Sequence, residues 1–109
     1  MRRGEIRLCR FGPPDKRQPA LLLTRDSSLA VLNSVTVVPI TPTRRGLASE
    51  LPLGLEHGLK QDSAANFHNV MTIQKRDVGA LLAALPEGML DDACRALAFA
   101  LGCNDFLIH

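Results

Sequence analysis

The sequence predicts a mainly β fold with a late helix, a small and strongly twisted barrel closed by its C-terminal segment. Two patterns carry this expectation. Segments with strand chemistry come first, at residues 4–11, 19–24 and 35–41. The long helical stripe of Leu90, Ala93, Cys94, Leu97 and Leu101 comes last. A chain of 109 residues can remove roughly two-thirds of its unfolded surface from water, so residues 1–109 are expected to form one domain without a disulfide or metal staple.

Each element follows from local chemistry. Residues 4–11 alternate, with Ile6, Leu8 and Cys9 expected inward and Glu5, Arg7 and Arg10 outward. Gly12-Pro13-Pro14-Asp15 cannot continue a strand, because two prolines remove donors and fix φ. Residues 19–24 are apolar until Arg25-Asp26, which fits a central strand buried on both faces. Residues 27–33 read as a short helical turn capped by Ser27 or Ser28, and residues 35–41 as a β-branched strand ending at Thr41-Pro42-Thr43. Arg44-Arg45-Gly46 makes an exposed loop before a short strand at 50–53. Residues 63–73 read as an interrupted strand carrying Asn66, His68 and Thr72. Residues 75–85 are expected to begin a helix that Pro86 ends or restarts, and Gly102 stops the final helix.

Composition narrows the function classes. No apolar run approaches the 18 or more residues of a membrane span and no apolar signal region opens the chain, so a soluble, cytoplasmic protein is expected. Cys9, Cys94 and Cys103 lack paired spacing, and the last two fall nine residues apart in one predicted helix, so they are read as reduced, mostly packing residues. Net charge is only +2, yet residues 1–45 hold nine Lys and Arg against three Asp and Glu, while residues 46–109 hold four against eight. The basic half suits a polyanion, or alternatively solvates edge strands. No Gly-rich phosphate loop, metal-ligand pair or Gly-x-Ser-x-Gly elbow is present, so no metal or nucleotide cofactor is expected. His57, His68 and His109 are isolated in sequence.

Five short motifs, in order, then narrow the reading. They are Arg3-Gly4-Glu5-Ile6, Arg17-Gln18-Pro19 before an apolar strand, Val38-Pro39-Ile40-Thr41, Asp62-Ser63, and Met71-Thr72-Ile73 followed by Lys75. Together they resemble the MazF/PemK/Kid toxins across nearly the whole chain. The resemblance implies an SH3-like barrel of the CcdB/MazF/PemK type, a homodimer, and metal-independent cleavage of single-stranded RNA. In that chemistry a 2′-hydroxyl attacks the adjacent phosphate, leaving a 2′,3′-cyclic phosphate and a 5′-hydroxyl. It also implies a cognate antitoxin whose acidic segment covers the basic groove, with DNA contacted only through that antitoxin.

The family's residues carry over position by position. Its arginine before proline falls on Gln18, and Arg17 lies one residue earlier. One residue reverses side-chain direction in a strand, so Arg17 replaces it only if the segment between Pro14 and Pro19 re-aims it. Thr41 matches the family threonine. His68 stands where relatives often carry an acid, four residues before Thr72, and Asn66 where some carry arginine. A histidine titrates near 6.5 and moves protons at neutral pH, whereas an arginine, with a pKa above about 12, does not. The expected site is therefore His68 for proton transfer, Thr41 and Arg17 on the scissile phosphate, and Gln18 and Asn66 on RNA. Thr43, Arg44 and Arg45 are expected to grip RNA from the loop after Thr41. Phe11 and Phe67 are the candidate stacking rings, although strand aromatics are more often core. Two other functions remain open: a binding module without catalysis, suggested by Gln18 and His68, and a gyrase poison, whose Trp-Gly-Ile ending is absent here.

Overall fold

The computed structural model describes residues 1–12 and 16–103. Its elements are β1 (Glu5–Arg10), β2 (Arg17–Leu22), α1 (Asp26–Leu29), β3 (Ser34–Thr41), β4 (Glu50–Leu53), β5 (Ser63–Asn66), β6 (Met71–Gln74), β7 (Val78–Ala84) and α2 (Glu87–Leu101). The strands form one curled antiparallel sheet, a half-barrel in the order β4-β5-β3-β2-β1-β7 with β6 also on β3. The turn expected at Pro13, Pro14 and Asp15 and the chain end at residues 104–109 lie outside the described residues.

Strand β2 is central as expected, between β1 and β3, with Ala20, Leu21 and Leu22 fully buried. Alternation sends its side chains into two cores. Leu21 joins Ile6, Val38, Phe67 and the α2 residues Ala93 and Ala96, while Ala20 and Leu22 join Cys9, Val35, Val37 and Ile73. Both faces of β1 are thus covered, and Glu5, expected outward, is nearly buried with its carboxylate on the Arg7 guanidinium at 2.9 Å.

The interrupted strand is present. β5 pairs with Ile40 and Thr41 of β3, β6 pairs with Ser34 to Val37 on the same strand, and the 3₁₀ turn Phe67–Asn69 separates them. Phe67 is 1% exposed in the main core, so its ring is not free to stack a base, and Phe11 is partly buried against the second core.

Two expectations are corrected. Residues 75–85 are not helical, because Lys75–Asp77 makes a 3₁₀ turn and Val78–Ala84 is a strand paired to β1. Ala and Leu favour helix by only tenths of a kcal/mol per residue, and the ladder along the outer edge of β1 outweighs that preference. The short helix begins at Asp26, with Arg25 at the N-cap and no side-chain cap from Ser27 or Ser28. Asp26 instead accepts the Arg3 amide at 2.7 Å, tying the N-terminus to the helix.

α2 closes the sheet and ends as expected at Gly102, whose φ of +75° lets the Gly102 and Cys103 amides return to the Phe99 and Ala98 carbonyls. Cys103 therefore lies just beyond the helix rather than in it. All three cysteines are unpaired, with Cys9 buried and Cys94 exposed. No helix among the described residues is long and apolar enough to cross a membrane.

The turn Leu55–His57 and the loop after it lie close over β7. Gly58 has φ +80°, and a Cβ there would come within 2.7 Å of the Leu82 carbonyl oxygen. Gly58→Ala should therefore destabilise the protein by about 1–3 kcal/mol, read as a lower urea midpoint at unchanged slope. An unshifted midpoint would show that the loop does not need this approach.

Candidate active site

Strand register sorts the candidate residues by face. Partners in an antiparallel ladder share a face, and neighbours along one strand alternate. Ala20 pairs with Pro39, so Gln18 and Thr41, each two residues on, lie on that same face. Thr41 pairs with Ala64, which puts Asn66 on the same face at the diagonal position, about 7 Å away. Asn66 pairs with Glu50. Gln18, Thr41, Asn66 and Glu50 thus form a polar strip across β2, β3, β5 and β4, the first three half-buried and Glu50 almost enclosed.

Arg17 is not part of that strip. It pairs with Arg10 at the start of a regular β2 ladder, so it shares the opposite face with Pro19 and Leu8. There it lines a groove of about 480 Å³. The ladder leaves no re-aiming of the kind needed to bring Arg17 beside Thr41.

The loop after Thr41 is held at two points. Arg44 donates from Nε to the Ser63 carbonyl and from Nη2 to the Leu53 carbonyl, both at 2.8 Å, and lies 3.8 Å from the Asp62 carboxylate. This guanidinium, expected to grip RNA, pins the loop across the β4–β5 hairpin and stays 40% exposed. Glu50 holds the other side, its Oε1 accepting the Arg45 amide at 2.9 Å and the Leu47 amide at 3.4 Å. Its Oε2 is buried without a hydrogen bond and lies 3.9 Å from Arg45 Nη1, whose side chain is 58% exposed. Glu50 thereby stations the Arg45 guanidinium beside the polar strip. Thr43, on the same loop, is exposed.

Histidines divide by role. His57 Nδ1 accepts the Gly54 amide at 3.0 Å and caps a 3₁₀ turn. His68 is exposed on the turn after β5, where its backbone amide donates to Asn66 Oδ1 at 3.0 Å, and its ring has no hydrogen-bond partner among the described residues. His68 lies on the turn just beyond Asn66, past the end of β5. His109 lies outside the described residues. Among the described residues, no group of three or more His, Cys, Asp or Glu is placed to hold a metal ion.

Residues 2–101 match the family model described as PemK-like, MazF-like toxin of type II toxin-antitoxin system. The chain belongs to the PemK/MazF toxin family. A probable endoribonuclease, MazF2 of Mycobacterium tuberculosis, is 36% identical over 104 residues, 94% of this chain and all of that relative. The M. tuberculosis toxin MazF-mt6 superposes with TM-score 0.82 at 35% identity, covering 90% of this chain and 96% of that one. An endoribonuclease in complex with its cognate antitoxin from a mycobacterial species also superposes with TM-score 0.82, at 25% identity over 94% of this chain and 95% of that one.

Within a MazF-type fold, the register puts Gln18, at the family's arginine position, on the face of Thr41. No sequence motif marks Glu50. Its only local signal was an acid at the start of a strand directly after the Arg-Arg-Gly loop.

Two carboxyls here make stability depend on acid. The Arg45 amide, against the cost of burial and with help from the Leu47 and Gly46 amides, holds Glu50 below the ordinary 4.5. Burial pushes Glu5 up, but the Arg7 guanidinium and the Arg2 amide outweigh it and the net shift is downward. A carboxyl with a depressed folded pKa adds stability that is complete above its unfolded value and disappears as pH falls through the folded one. The melting temperature should therefore fall between about pH 5 and pH 3. Glu50→Gln should lower it at neutral pH and flatten that acid limb; an unchanged limb would remove Glu50 from the account.

Proposed function

We propose that this chain, an endoribonuclease toxin of the MazF type, cleaves single-stranded RNA without a metal ion. In this reading a ribose 2′-hydroxyl attacks the adjacent phosphate, the bond to the following 5′-oxygen breaks, and 2′,3′-cyclic phosphate and 5′-hydroxyl ends remain. The observation that carries it is the co-facial strip of Gln18, Thr41 and Asn66 with the Arg45 guanidinium held beside it.

The roles follow from chemistry. The Thr41 hydroxyl and the Gln18 amide donate to the non-bridging phosphate oxygens, whose charge grows in the phosphorane. Arg45 supplies the positive charge that glutamine at position 18 does not, and its forked donors suit phosphate. His68 moves the proton, its ring facing solvent on a turn tied down by Asn66. Asn66 keeps its amide N–H groups for RNA, since its Oδ1 is occupied by that turn. Arg17, on the other face, binds backbone beyond the scissile phosphate. Thr43 adds a hydroxyl at the loop tip.

The functional unit in this reading is a homodimer, neutralised by an acidic antitoxin segment laid over the basic strip and acting in the cytoplasm. The mycobacterial relative solved with its antitoxin supports that partner. A second reading, an RNA-binding module without catalysis, is favoured by Gln18 alone.

Purified protein incubated in EDTA with a long, weakly structured RNA should give discrete cuts with 5′-hydroxyl ends. Thr41→Ala should lower the rate by about 10²–10³-fold, and His68→Ala by about 10²-fold. Gln18→Arg should raise the rate. Intact RNA with tight, salt-sensitive binding would favour the module, and cleavage that depends on added metal would defeat the proposed chemistry.

A further inference from the structure

The groove on the face opposite Thr41 opens at the same end of β2 and β3 as the polar strip. Leu8, Pro19 and Ile40 form its floor, and Arg17, Lys60 and Gln61 stand around it. One wall is the loop that Gly58 brings against β7.

We infer that this groove binds a nucleobase of the RNA, next along the strand from the nucleotide held at Thr41. The inference rests on the reading of the chain as an RNA-binding toxin. Size is the first argument, because a volume of about 480 Å³ is ample for one nucleotide. The second is what a splayed base requires. Bases pulled from the stack usually shelter on aromatic rings, and this chain has neither Trp nor Tyr. Phe67 is packed in the main core, Phe11 is partly buried against the second, and Phe99, 48% exposed on α2, does not line the groove. Within the groove, Leu8, Pro19 and Ile40 supply the apolar surface on which a base can rest.

Charge and reach complete the case. Arg17 and Lys60 are exposed cations that suit the phosphates flanking a seated base. Gln61, also exposed, carries a donor and an acceptor on one amide, the pattern that reads a base edge. Arg17 adjoins Gln18 in β2, and Pro42, another groove residue, adjoins Thr41. A strand crossing the sheet end there meets one face and then the other within about one nucleotide step. An apolar side chain from a protein partner would match the floor but makes no use of an amide placed to read an edge.

The test uses full-length protein and a random-sequence, single-stranded 2′-O-methyl RNA pool, which 2′-hydroxyl attack cannot cleave. Wild-type protein should enrich one base at one position. Gln61→Ala should flatten that position, costing the preferred base about 5–30-fold in Kd, and leave the other positions unchanged. Gln61→Glu should redirect the preference toward bases carrying an amino group. Lys60→Ala should weaken all sequences together and reduce the salt slope by about 0.7. Position profiles unchanged by Gln61→Ala and Gln61→Glu overturn the inference. So does a loss confined to binding of a Glu- and Leu-rich peptide, and so does no binding of the pool at all. Cleavage of unmodified RNA is scored separately: if RNA stays intact while the single-position loss is seen, the ribonuclease reading fails and the base subsite stands.

Discussion

Strand β3 is hydrogen-bonded along both edges, and the arrangement of the site depends on that double pairing. β2 occupies one edge, while β5 and β6 share the other with the Phe67–Asn69 turn between them. Because side chains alternate, this one register decides which residues from four strands meet. A slip of one residue would send Gln18 or Asn66 to the other face and bury a polar group where Val37 or Val38 now packs. Both faces of the sheet are filled with apolar side chains at its middle, so the register is strongly held. The turn follows from the same pairing, since burying Phe67 in the main core leaves the next residue, His68, facing solvent.

Much of the positive charge in the first 45 residues serves the fold. Arg7 bonds the Glu5 carboxylate and the Gly79 carbonyl, Arg10 pairs with Asp77, and Arg44 spans two backbone carbonyls. The excess of basic residues therefore overstates what a polyanion would meet. Arg45 and Lys60 are more exposed, and each stands beside a different face of the sheet end. Glu50 is the counterweight on the first of these faces. It satisfies loop amides that would otherwise be unbonded and sets Arg45 against the strip, so one buried acid orders the loop and places its cation.

Elements carried by local pattern were readable from the chain. The β-branched run ending at Thr41, the apolar run at Ala20 to Leu22, and the Gly102 helix stop each state their structure in a few residues. The interruption of the 63–73 strand was readable too, through its uneven alternation. β7 was not, because Ala80 to Ala84 has helical composition and becomes a strand through pairing with residues more than seventy positions earlier. Phe67 takes the core place that strand aromatics more often have, and only its neighbours in space show that, since a ring's burial depends on what packs over it.

The sequence alone determined the strands up to β6 and the closing helix, the central place of β2, the family motifs and the candidate residues at the ends of β3 and β5. Only the tertiary structure decided their grouping, with Gln18 rather than Arg17 on the face of Thr41, Arg44 as a structural pin, and Glu50 as the acid that stations Arg45. The physical reason is the range of the forces involved. Propensity and alternation act over a few neighbouring residues, whereas register and burial arise from hydrogen bonds and contacts between segments far apart in the chain.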